Sequence, residues 1–397
     1  ELPVRDVVSW SALIGGYVRK GKAHEALLCF EKMQCEGLSP DVVTFVSLLK
    51  ACGTIGDIEM GKKVHNEINS MGLLELNIVL GNSLVDMYVR CGVLVKAQEI
   101  LKELPIRDVV SWNALISGYS HQKQCRQAFN CFEQMQSEGL VPDVVTFISL
   151  LKACGITGAM GEGKKLHEEI VNRGLLEKNI VLGNALVDMY MKCGMCVQAQ
   201  EVFEGLPVRD VISWNVLIAG YTQQGEVHEG LNCFECMQIE GLSPDMVTFI
   251  CISKSCGITR DIEMGKRIHE TIVNRSLLKK DIGVGNALID MYAKCGSLDK
   301  AEQVFHKLLV QDLVSWTSLI AGYAQQGENR NVFRTFDKMI RDDIKPNVVT
   351  FINVLNACSH SGLVAEGQAC LEVMSRDYGI TPTSEHHTCM VDLLCRA

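Results

Sequence analysis

Two clusters in this chain contain residue types able to hold a metal ion. His167-Glu168-Glu169 is followed by Cys193-Gly194-Met195-Cys196, and Cys233 with Cys236 makes a second C-x-x-C. A histidine, two thiolates and a glutamate are what zinc nucleobase deaminases use to bind zinc and move protons, in the pattern H-x-E followed by P-C-x-x-C. Spacing dissolves the match. His65 and His269 stand 102 residues either side of His167, as Cys91 and Cys295 do around Cys193, so both belong to a recurring unit. Cys196 fills a slot held elsewhere by Leu94 and Leu298, and Lys192 occupies the place the motif gives to proline. Cys233 recurs as Cys29 and Cys131, whereas Cys236 replaces Lys32 and Gln134. No metal site and no cofactor are expected. Nor is any catalytic residue, since no Gly-rich phosphate loop, paired carboxylate cleft or nucleophile elbow is present.

A second set of polar residues varies inside a constant text. RDVVSWSALIGGY starts at Arg5, RDVVSWNALISGY at Arg107, RDVISWNVLIAGY at Arg209 and QDLVSWTSLIAGY at Gln311, each 102 residues after the last. The residue after Trp is Ser11, Asn113, Asn215 and Thr317 in turn. Side chains that change hydrogen-bonding type within a fixed frame suit the recognition of a polymer. Asparagine in the first turn of a helix also needs a reason, because it is a poor helix former whose amide prefers local backbone partners.

The elements that position these residues follow from the repeat. Each 102-residue unit divides into pieces of 35, 36 and 31 residues, first seen at 7–41, 42–77 and 78–108. Each piece reads as helix, turn, helix. In the first, Leu13, Ile14 and Tyr17 form an apolar stripe, Gly21 breaks it, Ala26, Phe30 and Met33 resume helical spacing, and Gly37 with Pro40 ends it. One such hairpin cannot bury its own apolar face, so neighbours must stack. The expected fold is all-α: a right-handed superhelical α-solenoid of stacked antiparallel helix-turn-helix repeats, its concave face lined by the first helices.

Composition agrees with a folded array. At 397 residues the chain exceeds the usual size of one core, with 47% apolar and 21% charged residues. No apolar run is long enough to span a bilayer. The net charge of −9 argues against a generic nucleic-acid binder but leaves room for a local basic stripe. Most of the eighteen cysteines recur at shared positions, such as Cys52, Cys154, Cys256 and Cys358, and read as small buried apolar residues. Glu1 to Asp6 matches Glu103 to Asp108 and reads as the tail of a preceding unit, so any targeting segment or further domain of a longer parent lies outside this sequence.

These residues resemble the pentatricopeptide repeat proteins of plant organelles, in the class whose P, L and S motifs alternate. VVSWNALI opens P, VVTF.SLLKACG opens L, IVLGNALVDMYAKCG opens S, and PTSEHHTCMVDLLCRA at 382–397 is similar to a last S-type motif. The resemblance covers essentially the whole chain and implies P motifs at 7–41, 109–143, 211–245 and 313–347. L motifs follow at 42–77, 144–179, 246–281 and 348–383, and S motifs at 78–108, 180–210, 282–312 and, in part, 384–397. Residues 1–6 would end an earlier S motif.

The resemblance further implies single-stranded RNA as ligand, one base per repeat, read jointly by the fifth and last residues. Ser11 with Asp41 would read G, and Thr317 with Asn347 would read A. Asn82 with Asp108, Asn113 with Asp143, Asn184 with Asp210, Asn215 with Asp245 and Asn286 with Asp312 would each read U, with C tolerated. The last residues also suit helix N-caps, and one residue can do both. The L motifs carry Val46, Ile148, Ile250 and Ile352 at position five and would specify weakly. The implied target is G-N-Y-Y-N-Y-Y-N-Y-A. Second residues such as Val8, Val79, Val110, Val181, Ile212 and Val314 would sandwich bases, Gly283 and Glu385 departing from that pattern. Thirteenth residues Arg90, Lys192, Lys294 and Arg396 would reach phosphate, with a solvated face as the other reading. Also implied are C-to-U editing in a chloroplast or mitochondrion, with the deaminase supplied from elsewhere, and partnership with multiple organellar RNA-editing factor proteins through L motifs. RNA stabilisation or splicing, and a tetratricopeptide-like protein scaffold, are the alternatives.

Overall fold

The computed structural model describes residues 6–75 and 77–396, so of the expected repeat tail at 1–6 only Asp6 is included, and Ala397 falls outside. The described residues form 23 α-helices and three short 3₁₀ turns, with no strand among them. The chain divides into two compact units, Glu1–Pro207 and Val208–Ala397. The first contains α1 (Val7–Arg19), α2 (Ala23–Cys35), α3 (Val42–Ile55), α4 (Ile58–Ser70), α5 (Ile78–Arg90), α6 (Leu94–Glu103), α7 (Val109–His121), α8 (Cys125–Ser137), α9 (Val144–Thr157), α10 (Met160–Asn172), α11 (Ile180–Lys192) and α12 (Cys196–Glu204). The second contains α13 (Val211–Gln224), α14 (Val227–Ile239), α15 (Met246–Thr259), α16 (Ile262–Asn274), α17 (Ile282–Lys294), α18 (Leu298–Lys307), α19 (Leu313–Gln325), α20 (Asn329–Arg341), α21 (Val348–Ser361), α22 (Val364–Arg376) and α23 (Ser384–Arg396).

Within each unit the helices pair as hairpins, and each odd-numbered helix packs on the next odd-numbered one. This is an α-solenoid. Its core is built between hairpins: Phe45, Leu48 and Leu49 of α3, their counterparts Phe147, Leu150 and Leu151 of α9, and Ile14 of α1 are all fully buried. Burial of a leucine-sized side chain stabilises by about 1.5–3 kcal/mol, and here most of it comes from the neighbouring hairpin. Glycine permits the closest approach. A Cβ on Gly183 of α11 would clash with Leu206 Cδ2.

The first helices of the hairpins start at side-chain caps, whereas α2, α6, α8, α10, α12, α14, α18, α20 and α22 have none. Asp6, Asp41, Asp108, Asp143, Asp210, Asp245 and Asp312 each accept the backbone N–H three residues on, as do Asn77, Asn179 and Asn347. All eighteen cysteines are free. Cys52, Cys131, Cys233 and Cys256 are buried, and burial pushes their thiols up to about 12. Cys91, Cys193 and Cys295 differ from the simple apolar expectation. They are half-buried, with Sγ 3.8, 3.7 and 3.7 Å from the carbonyl oxygens of Cys52, Cys154 and Cys256.

Candidate nucleic-acid interface

The N-cap and the fifth residue of each first helix are local consequences of sequence; their meeting is a consequence of stacking. A cap aspartate opening one hairpin lies against the fifth residue of the hairpin before it. Asn113 Nδ2 donates to Asp143 Oδ1 at 2.9 Å and Asn215 Nδ2 to Asp245 Oδ1 at 3.0 Å. Asn82 Nδ2 donates to Asp108 at 3.1 and 3.2 Å, and Asn286 Nδ2 to Asp312 Oδ1 at 3.1 Å. Ser11 Oγ is 3.1 Å from Asp41 Oδ1. These aspartates cap a helix and hold a neighbour's side chain at once. Thr317 and Asn347 are not directly bonded among the described residues; Thr350 Oγ1 links them, at 3.0 Å from Thr317 Oγ1 and 2.9 Å from Asn347 Oδ1. Asn184 is buried, and Asp210 caps α13 in the other compact unit.

Burial works against ionisation of Asp143 and Asp245, but hydrogen bonds from Thr146 and Asn113, and from Thr248 and Asn215, outweigh it and hold both carboxyls below the ordinary aspartate value. Asp41 is lowered against the same desolvation by Thr44 and Ser11. The Ser11/Asp41, Asn113/Asp143 and Asn215/Asp245 pairs are therefore anionic at neutral pH.

The six second residues expected to flank bases are exposed apolar side chains, from 71% at Val8 to 53% at Val314, with Val79, Val110, Val181 and Ile212 between. Each leaves more than half of its surface uncovered in this chain. Val110 and Val145 line one cavity of about 680 Å³ together with Asn113, Asp86, Arg90, His121 and Gln122. Gly283 has no side chain to offer; its N–H donates to Asp281 Oδ1 at 2.6 Å. Glu385 lies in the first turn of α23.

The basic residues are not free cations. Arg90 pairs with Asp86 at 2.7 Å, Lys192 with Asp188 at 2.6 Å, Lys294 with Asp290 at 2.7 Å and Arg396 with Asp392 at 2.9 Å. These four aspartates escaped the sequence reading although the signal was present: an acid four residues before each base, repeated every 102 positions. Position three of the L motif was missed as well. Thr146 Oγ1 lies 2.6 Å from Asn113 Oδ1, and Thr248 Oγ1 2.6 Å from Asn215 Oδ1.

The residues of the rejected zinc motif have other partners. His167 Nδ1 is 2.8 Å from Tyr190 Oη, as His65 is from Tyr88 at 3.0 Å and His269 from Tyr292 at 2.9 Å. Among the described residues no three His, Cys, Asp or Glu side chains cluster as a metal ion requires.

Comparison with known proteins places this geometry. The model of the PPR repeat family matches residues 5–54, 107–155, 209–257 and 311–360, and that of the PPR repeat matches 43–73, 82–109, 145–175, 184–211 and 286–313. The chain belongs to the pentatricopeptide repeat family. A mitochondrial pentatricopeptide repeat-containing protein of Arabidopsis thaliana is 34% identical over 398 residues, covering 100% of this chain and 57% of its own. A chloroplastic one from the same plant is 36% identical over 397 residues, covering 100% and 49%, and a third is 35% identical over 391 residues, covering 98% and 69%. The chain spans about half the length of most of these curated relatives. The crystal structure of pentatricopeptide repeat protein PPR10 from maize shares the fold, with a TM-score of 0.65 at 21% identity over 99% of this chain and 62% of that one. PPR10 in complex with an 18-nt psaJ RNA element gives 0.63 at 20% identity, over 93% and 60%.

Proposed function

We propose that this array reads single-stranded RNA sequence-specifically, one base to each P or S repeat. The cavity holding Val110, Val145, Asn113 and Arg90 carries the reading. An unstacked base needs apolar faces beside it, a polar group at its Watson–Crick edge and a cation near its phosphate, and all three line this one space. The fold shared with PPR10, which was solved with bound RNA, supports the same reading. The pairs Ser11/Asp41, Asn82/Asp108, Asn113/Asp143, Asn184/Asp210, Asn215/Asp245, Asn286/Asp312 and Thr317/Asn347 then select G-N-Y-Y-N-Y-Y-N-Y-A.

The alternation of P, L and S motifs and the tail at 382–397 support a finer role, marking a cytidine downstream of the bound tract for C-to-U editing. Relatives named mitochondrial and chloroplastic support an organellar setting. In this reading the chain supplies address and another domain or protein supplies the deaminase. The apolar fifth residues Val46, Ile148, Ile250 and Ile352 leave the L motifs to contacts with editing-factor proteins.

The test is binding of the purified chain to GAUUAUUAUA and to its shuffle at one salt concentration. The matched oligonucleotide is expected to bind tighter by about 1 kcal/mol per specified base, and Asn184→Thr to move the preference at the sixth nucleotide from U to G. Equal affinity for both sequences, falling with salt alone, would leave a protein scaffold as the better account.

A further inference from the structure

The first helices of three L motifs carry a cation and no acid. Lys50 of α3, Lys152 of α9 and Lys254 of α15 are the ninth residues of their motifs, and none of these helices contains Asp or Glu. All three lysines are exposed and have no salt-bridge partner among the described residues. The S motifs are built the opposite way: their ninth residue is Asp86, Asp188, Asp290 or Asp392, and it holds the basic residue four positions on. In the P motifs the ninth residue is Gly15, Ser117, Ala219 or Ala321 and bears no charge.

Stacking fixes what the ninth residue faces, which is the sixth residue of the next motif. A Cβ on Gly15 would lie 3.6 Å from Ser47 Oγ, and Asn356, ninth in the fourth L motif, has its Oδ1 3.0 Å from Cys389 Sγ. Asp86 and Ala114, ninth and sixth across an S-to-P junction, both line the cavity that holds Val110 and Asn113. Lys50, Lys152 and Lys254 thus stand opposite Ser83, Ala185 and Ala287, small residues that each follow an asparagine of an S-motif pair. One helical turn further, Gly53, Gly155 and Gly257 lie against the stems of Arg90, Lys192 and Lys294; a Cβ there would come 2.9, 3.2 and 3.2 Å from their Cδ atoms. Each of these L-to-S junctions therefore holds two cations, one engaged by an aspartate and one unpaired.

We propose that Lys50, Lys152 and Lys254 are phosphate-contacting residues, which anchor the RNA backbone at the L motifs while the P and S motifs on either side read its bases. The inference deepens the RNA reading above and rests on it. The reading pairs present carboxylates, and those of Asp41, Asp143 and Asp245 are charged at neutral pH. A polyanion brought up to them needs cations that are not already neutralised. The Arg90–Asp86 pair has no net charge, and a phosphate approaching it meets a carboxylate as well. An unpaired ammonium attracts the phosphate outright and releases its condensed counterion. Its flexible four-carbon stem also lets one compact charge follow a backbone whose path shifts with the base beside it. The fourth L motif has Asn356 in place of the lysine and lacks the anchor.

The experiment measures how binding of the whole chain to GAUUAUUAUA and to its shuffle depends on salt, in two triple variants. One combines Lys50→Gln, Lys152→Gln and Lys254→Gln. The other combines Lys63→Gln, Lys165→Gln and Arg267→Gln, exposed residues of the second helices α4, α10 and α16 with no salt-bridge partner among the described residues. Both remove three positive charges. The first is expected to reduce the slope of log K against log salt by about 2, at about 0.7 per phosphate, and to weaken matched and shuffled RNA alike, because phosphate carries no sequence. The second is expected to leave the slope unchanged, and Asn356→Lys to raise it by about 0.7. Melting temperatures separate loss of contact from loss of fold, and Lys152→Gln alone, expected to lower the slope by about 0.7, decides if a triple variant does not fold. An unchanged slope in the first variant, or equal decreases in both, overturns the anchoring role while a preference for the matched sequence leaves the RNA reading standing. Equal wild-type affinity for matched and shuffled RNA overturns both.

Discussion

Trp10, Trp112 and Trp214 each donate an indole N–H to a glutamate at the end of the following helix: Glu36 at 2.9 Å, Glu138 at 3.0 Å and Glu240 at 3.2 Å. Arg107 and Arg209 clamp two of these glutamates, at 2.9 and 3.2 Å. In the fourth copy the glutamate is Asp342, one methylene too short, and the buried Trp316 indole nitrogen has no partner among the described residues. Asp342→Glu is therefore expected to stabilise by about 1 kcal/mol in urea unfolding; a change of zero or the opposite sign would show that length is not what breaks the fourth clamp. The histidines give a pH signature. Burial holds His65, His167 and His269 below the ordinary value of 6.5. The unfolded chain thus binds protons first as pH falls, so the stability present above 6.5 is lost as pH drops through that value toward the lower folded-state values. Melting temperature should decrease on acidification from about pH 7.5 to about pH 5, less steeply once the three are changed to Gln. A flat profile in the wild type would exclude this coupling. The lowered Asp41, Asp143 and Asp245 act in a separate window, below the carboxylate value of 3.8.

At the scale of elements, the helix pairs and caps were legible because each depends on residues three or four positions apart. The L motifs show how far that goes. Asp57 and Asp261 cap α4 and α16, each accepting from the backbone N–H three residues on at 3.0 Å. The same place before α10 is Ala159, with φ −77° and ψ 71° against −80° and 85° at Asp57, and it makes no side-chain cap. Since the backbone is already in the capping conformation, Ala159→Asp is expected to add about 1 kcal/mol, measured by denaturant unfolding. An unaltered midpoint would mean the end of α10 draws its donors' partners from solvent. The helix ends carry a similar irregularity: Gly56, Gly158 and Gly362 terminate α3, α9 and α21 in the left-handed region at 73°, 71° and 66°, and Arg260 does so at 56° after α15. Sequence marks the stop at three copies through glycine; at the fourth an arginine takes up the same left-handed conformation, and no residue type announces it.

At the scale of the whole molecule, the RNA reading proposed above makes the net charge of −9 and the paired cations decide how steeply binding depends on salt. Each phosphate contacted by a lysine or arginine contributes about 0.7 to the salt slope for a single strand. With Asp86, Asp188, Asp290 and Asp392 holding Arg90, Lys192, Lys294 and Arg396, a shallow slope is expected. Changing the four aspartates to Asn should steepen the slope and tighten binding to shuffled more than to matched RNA. An identical slope in that variant would remove Arg90, Lys192, Lys294 and Arg396 from the phosphate path.

The chain's text alone determines the period, the three piece lengths, the helical hairpins and the cap residues, because apolar spacing and N-capping act over a single helical turn. It also singles out position five as the variable one. It does not say that Asp143 both caps α9 and grips Asn113, that Thr146 reaches Asn113 as well as its own cap, or that Arg90, Lys192, Lys294 and Arg396 each already have an acid. Those pairings bridge residues on neighbouring hairpins or depend on which rotamer a packed side chain adopts. Packing settles them, since a hydrogen bond between hairpins forms or fails over a few tenths of an ångström that no local pattern encodes.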